Sequence, residues 1–246
     1  MTDGPAPLAP PPAPALTPEA LRARVLHMDE DVVVIDKPTG LPVHKGTKVQ
    51  DHLEMFLPAL MDGQPEPPRL AHRLDKATSG CLALGRHPAA SSALGKHFMA
   101  GRVEKLYWAV VRDGPAADTG RIDAPLRKVQ GPTGALVVAH PDGKPATTEW
   151  RVLGRGGGLA WLALEPRTGR MHQLRAHLAL AGFPILGDPI YGPERPAPCP
   201  LHLHARRIAL PPVRHNGPPI TAEAPLPPHM ATTLAAAGLP LDAAVR

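Results

Sequence analysis

The segment Ala71-His72-Arg73-Leu74-Asp75-Lys76-Ala77-Thr78-Ser79-Gly80 runs straight into the apolar stretch Cys81-Leu82-Ala83-Leu84. The Thr78 and Ser79 hydroxyls can bond to nearby backbone, and Gly80 tolerates conformations closed to other residues. The polar part is therefore predicted as a loop and the apolar part as a strand. A histidine, an arginine and a carboxylate thus sit at the rim of a sheet. Loops on a rigid scaffold commonly carry chemistry, and a carboxylate so placed can act as a nucleophile. The plainer alternative is that Asp75 caps a turn and Arg73 is a solvated surface charge.

The same texture of short apolar runs broken by Gly, Pro and Asp extends in both directions. Strands are predicted at 32–35, 81–84, 106–111, 136–139, 147–153, 159–164 and 201–210, and the first is followed by the turn Asp36-Lys37-Pro38-Thr39-Gly40. GRGGG at 154–158 reads as a hairpin turn rather than a phosphate cradle. Helical spacing appears only at 50–60, 89–99 and 172–181. The sum is a strand-dominated α+β domain over 20–230. Residues 1–19 are too rich in proline and alanine to propagate a helix or bury a face, so a disordered, partly polyproline-II tail is expected there. A C-terminal tail or short alanine-rich helix is expected over 231–246.

With 246 residues, 43% of them hydrophobic, the chain has material for a sizeable core. Lys and Arg outnumber Asp and Glu by 27 to 22, a balance compatible with a polyanionic partner. Cys81 and Cys199 lie far apart and outside any C-x-x-C pair, which argues against a disulfide framework and for a reducing, cytoplasmic setting. No apolar run approaches the roughly 18 residues of a membrane span, and the N-terminus lacks the basic and apolar regions of a secretory signal, so a soluble protein is expected.

Four clusters place polar groups at the edges of elements. They are Asp36-Lys37-Pro38 with Gly40 and His44, the Asp75 loop, Lys105-Leu106-Tyr107, and the run from Arg167 through Arg170, His172 and Arg175 to His177. The last opens a helix, where basic side chains and free backbone N–H groups attract phosphate or carboxylate. A bound metal is not expected: His172 and His177 do not share a helical face, and His202 and His204, which share a strand face, have no nearby cysteine or carboxylate cluster. Nor is a nucleotide cofactor expected, because neither G-x-G-x-x-G nor the P-loop pattern occurs. Tyr107 is one of only two tyrosines, and at a strand start its ring suits stacking on a base and its hydroxyl suits polar contact.

Together these residues resemble the pseudouridine synthases, specifically the bacterial branch that modifies large-subunit ribosomal RNA and transfer RNA. The resemblance rests on VVIDKPTGLPVH at 33–44, HRLDKATSG at 72–80, KLYWAVV at 105–111 and PRTGRMHQLRAHL at 166–178. It continues with GFPILGD at 182–188, Tyr191-Gly192 and LHA at 203–205, all in family order. It implies a mixed, mainly antiparallel bent sheet with a central RNA-binding cleft flanked by helices and loops. It further implies that Asp75 is the catalytic aspartate, Tyr107 the tyrosine that stacks on the target uracil, and Arg175 the arginine paired with Asp75. Arg73 resembles the residue that enters the RNA stack when the uridine leaves it, and Leu203 a part of the apolar wall of the base pocket. His72, Arg170 and His172 are expected to contact RNA.

The implied reaction breaks the N-glycosidic bond of uridine, turns the uracil and rejoins it through carbon, so the base must first leave its stack. An arginine beside a carboxylate favours the ionised form that such chemistry needs. Attack on the ribose, attack on the ring and removal of a ribose proton all require the same carboxylate in the same pocket. Only the proline-rich tail is expected ahead of the catalytic region, with no small ribosomal-protein-type domain, so a monomer reading an RNA stem-loop by shape and stacking is expected. Two alternatives stay open: a non-catalytic RNA-binding or ribosome-assembly protein, and a glycoside hydrolase using Asp75 and Asp188 as its carboxylate pair.

Overall fold

The structure, a computed structural model, describes residues 16–45, 51–131, 134–194 and 196–239. Along the chain these form α1 (Pro18–Arg22), β1 (Val25–Met28), β2 (Val32–Lys37), β3 (Arg69–Leu70), β4 (Ser79–Gly85), α2 (Pro88–Met99), β5 (Glu104–Arg112) and β6 (Thr119–Asp123). The second half adds β7 (Leu126–Gly131), β8 (Gly134–Ala139), β9 (Thr147–Gly156), β10 (Leu159–Pro166), α3 (Gln173–Leu180), β11 (Leu203–Leu210), β12 (Ile220–Glu223) and α4 (Pro228–Ala236).

One large sheet runs in the order β1-β2-β4-β11-β5-β10-β9-β6, with β12 beside β11 and β3 beside β4, while β7 and β8 form a separate hairpin. The β4–β11 pair is parallel, with Ser79 opposite His204 and Gly80 opposite Ala205, and the other pairs are antiparallel. The expected mixed, mainly antiparallel α+β architecture is therefore present. Strand β4 gives one whole edge to β2 and divides the other between β11 at its start and β3 at its end. Every residue of β4 is buried, which is why Cys81–Leu84 is a continuous apolar run instead of alternating.

Strand β5 divides the core by its alternation. Ala109 and Val111 pack with β10 and with Leu174 and Leu178 of α3. Trp108 and Val110 face the other way, onto Trp161 and onto Met230 and Leu234 of α4. The β9–β10 hairpin turns through Gly157 and Gly158, both at positive φ, as a two-residue connection between opposed strands requires.

Three expectations change. Residues 51–60 form not one helix but two 3-10 turns, Leu53–Met55 and Leu57–Leu60, because Pro58 has no N–H to continue a ladder; Gln50 lies outside the described residues. The C-terminal helix begins earlier, at Pro228, where a missing N–H costs nothing. Of the expected tail, residues 1–15 lie outside the described residues, and α1 starts within the remainder, with the Thr17 hydroxyl accepting from the Ala20 N–H.

Candidate active site

A cleft of about 700 Å³ opens where the loop ahead of β4, the end of α2 and strands β5 and β11 meet the loop that leads into α3. His72, Arg73, Asp75, Tyr107, Arg170, His172, Arg175 and Leu203, far apart in sequence, all line it. Lys105 and Arg167 add positive charge to the walls.

The loop bearing Asp75 is held from behind by the turn after β2. Lys37 Nζ donates to the Pro38, Leu41 and Lys76 carbonyls at 2.8, 2.9 and 3.3 Å. The Thr39 hydroxyl donates to the Ala77 carbonyl at 2.7 Å, and the Gly40 N–H to the Lys76 carbonyl at 2.9 Å. Thr78 N–H closes the loop onto the Asp75 carbonyl. The Lys37 side chain is fully buried, and burial lowers its pKa to about 7 against the opposing pull of Asp75 and Asp36. The Asp36-Lys37-Pro38-Thr39-Gly40 cluster is thus a support for the loop. His44 of the same cluster is exposed and pairs with Glu54 at 3.0 Å.

Arg175 joins two carboxylates. Its Nη1 donates to Asp75 Oδ2 at 3.3 Å, and its Nε and Nη2 donate to Asp188 Oδ2 and Oδ1, each at 2.8 Å. Asp188 also accepts the Ile190 and Tyr191 N–H groups at 2.8 and 3.0 Å. Burial alone would raise the Asp188 carboxyl, but the Arg175 fork and these N–H groups outweigh it and hold it below the ordinary range. A two-point fork fixes the guanidinium plane and leaves Nη1 facing Asp75. This sequestration overturns the glycoside-hydrolase alternative: Asp188 has a fully buried side chain committed to four donors and cannot serve as a second catalytic carboxylate.

Around this pair, Tyr107 packs between two core clusters, and burial, reinforced by Asp75, raises its phenol so that it stays neutral. The Leu203 side chain is buried in the cleft wall. The His72 ring stacks on Phe98 with centroids 4.2 Å apart, and its Nε2 accepts the Ala83 N–H at 2.9 Å. Burial takes His72 to about 3, so it is a neutral ring. Arg73 is exposed at the rim, and Arg170 is tethered at Nε to the Pro145 carbonyl at 3.0 Å.

Sequence reasoning placed Gln173 at the start of α3 but gave it no role of its own. Its Oε1 accepts from the Thr168 hydroxyl and Arg170 N–H, while its Nε2 donates to Thr147 and Thr148 of β9, which pins the start of α3. It stands in the motif at 166–178, but its burial in the first turn of α3 has no sequence signature.

A carboxylate fixed by an arginine, beside a neutral tyrosine in a cleft with basic walls, describes an enzyme that works on a polyanion. The model of the RNA pseudouridylate synthase family matches residues 31–180. An uncharacterised RNA pseudouridine synthase of Zymomonas mobilis is 44% identical over 215 residues, covering 84% of this chain and 95% of that protein. The mitochondrial pseudouridylate synthase RPUSD4 of mouse is 34% identical over 264 residues, covering 89% of this chain and 70% of that protein. The solved structure of human RNA pseudouridylate synthase domain containing 4 superposes with a TM-score of 0.78 at 30% identity, covering 91% of this chain and 96% of that one. The chain belongs to the RNA pseudouridylate synthase family and is an RNA-modifying isomerase.

Proposed function

We propose that the enzyme converts uridine to pseudouridine in a stem-loop of ribosomal RNA, transfer RNA or both, using Asp75 as its catalytic carboxylate. Residues 20–230 are the catalytic domain of a monomer that works in the cytoplasm. The observation that carries this reading is the Arg175–Asp75 contact of 3.3 Å inside the cleft, with Arg175 locked from behind by Asp188.

The target nucleotide leaves its stack at a cost of a few kcal/mol. Exposed Arg73 fills the gap, since a planar guanidinium stacks where a base has left. The uracil lies between the Tyr107 ring and the Leu203 side chain, while His72 and Arg170 contact neighbouring nucleotides. In the net reaction the N1–C1′ bond breaks, a C5–C1′ bond forms, the C5 proton departs and N1 gains one, so no external oxidant or group donor is consumed.

The test is to map pseudouridine in ribosomal and transfer RNA from cells lacking the gene, then restore wild type or Asp75→Ala. A site that disappears and returns only with wild type is expected. Purified Asp75→Ala should keep RNA affinity within about tenfold, because the carboxylate is not a phosphate contact. Full activity of Asp75→Ala would overturn the assignment, and binding without conversion by wild type would favour a non-catalytic RNA-binding protein.

A further inference from the structure

Hydrogen bonds connect the β7–β8 hairpin to His172, whose ring faces Asp75. Val137 of β8 donates its N–H to the Tyr191 hydroxyl oxygen at 3.0 Å, and that oxygen lies 3.1 Å from His172 Nδ1. A phenol oxygen that already accepts one hydrogen bond directs its own proton to the imidazole. This assigns Nδ1 as acceptor and leaves the ring proton on Nε2. Nε2 lies 3.8 Å from Asp75 Oδ2, the oxygen that also faces Arg175.

Two further observations set His172 apart from an ordinary cleft-lining residue. Its backbone is left-handed, at φ 50° and ψ 20°, a conformation uncommon in residues other than glycine. It occupies the N-cap position of α3 yet makes no side-chain cap bond, so helix capping does not account for the residue. Burial lowers the ring's pKa from the ordinary histidine value, Arg175 and Arg73 act in the same direction, and Asp75 and Asp188 oppose them.

We propose that Tyr191 and His172 form a positioning relay, through which the hairpin backbone aims the His172 Nε2–H at Asp75 and sets the carboxylate for reaction. The relay rests on the reading of Asp75 as the catalytic carboxylate. It assigns His172 an action through Asp75 in place of direct contact with RNA.

The test measures single-turnover conversion at saturating RNA, together with RNA affinity, for the full chain carrying Tyr191→Phe, His172→Asn or His172→Gln. Asparagine tolerates the left-handed backbone but cannot reach Asp75, whereas the glutamine amide can present an N–H there. For Tyr191→Phe and His172→Asn the rate constant is expected to fall by about tenfold or more, with Kd within about threefold, as for a misplaced catalytic group. His172→Gln is expected to recover part of the loss, which a purely structural defect would not allow. A raised Kd with the rate constant preserved at saturation would make His172 an RNA contact and overturn the relay. If His172→Asn fails to fold, Tyr191→Phe, which deletes one hydroxyl, decides alone. Full activity of both variants beside an inactive Asp75→Ala refutes only the relay; an active Asp75→Ala refutes the underlying reading.

Discussion

Lys37 gives one hydrogen to each of three carbonyl oxygens, one of them on the residue next to Asp75. Lys37→Met preserves the apolar stem and leaves the Pro38 and Leu41 carbonyls without this donor, while the Lys76 carbonyl keeps the Gly40 N–H. At about 1 kcal/mol or more for each unmet group, a loss of roughly 2–4 kcal/mol is expected in urea unfolding, together with a lower kcat as the loop shifts. The pH dependence follows from linkage. Burial brings the folded pKa to about 7 against an ordinary 10.5, so between those values the unfolded chain binds the extra proton. Wild-type stability should therefore rise from pH 7 towards 10, and Lys37→Met should lack that rise. The candidate chemistry was readable at this scale because Asp75, Tyr107 and Arg175 stand in recognisable motifs. The supports were not: Lys37 and the Lys76 carbonyl lie 39 residues apart, and backbone acceptors have no sequence signature.

At the scale of elements, the seam between β4 and β11 depends on Gly80. Its φ is 105°, and a Cβ there would run into the Ala205 carbonyl on the neighbouring strand. Gly80→Ala is expected to cost about 2–4 kcal/mol through strain and lost pairing, read as a lower denaturant midpoint. The sequence reading took Gly80 for a turn glycine, whereas it is a strand residue chosen for close approach of two backbones. Strands buried on both faces, such as β2 and β4, were legible as apolar runs. Strand β6, whose burial alternates between exposed and partial, and the short β1, β3 and β12 gave too little apolar pattern to separate from loop. The run at 50–60 kept helical spacing, and Pro58 divided it.

At the scale of the whole molecule, buried histidines bind the fold to neutral pH. His204 accepts from the Ser79 hydroxyl at 2.9 Å, and His202 lies 2.8 Å from the Thr233 hydroxyl; burial takes each to about 4. Both folded values lie below the ordinary 6.5, so the unfolded chain binds more protons between pH 6.5 and 4. The contribution of these two histidines is fully present above 6.5 and should fall steadily below it, giving a lower urea midpoint at pH 5 than at pH 7. The mixed sheet and the cleft's residue set were foreseen through family motifs more than through periodicity, since the order of strands is set by contacts between distant segments. That order has a consequence in time. Strand β11, from residues 203–210, lies in the middle of the sheet between β4 and β5 and supplies Leu203 to the cleft. A nascent chain emerging from the ribosome has no strand to place between β4 and β5 until residues 203–210 arrive, so the cleft that acts on RNA cannot close before then.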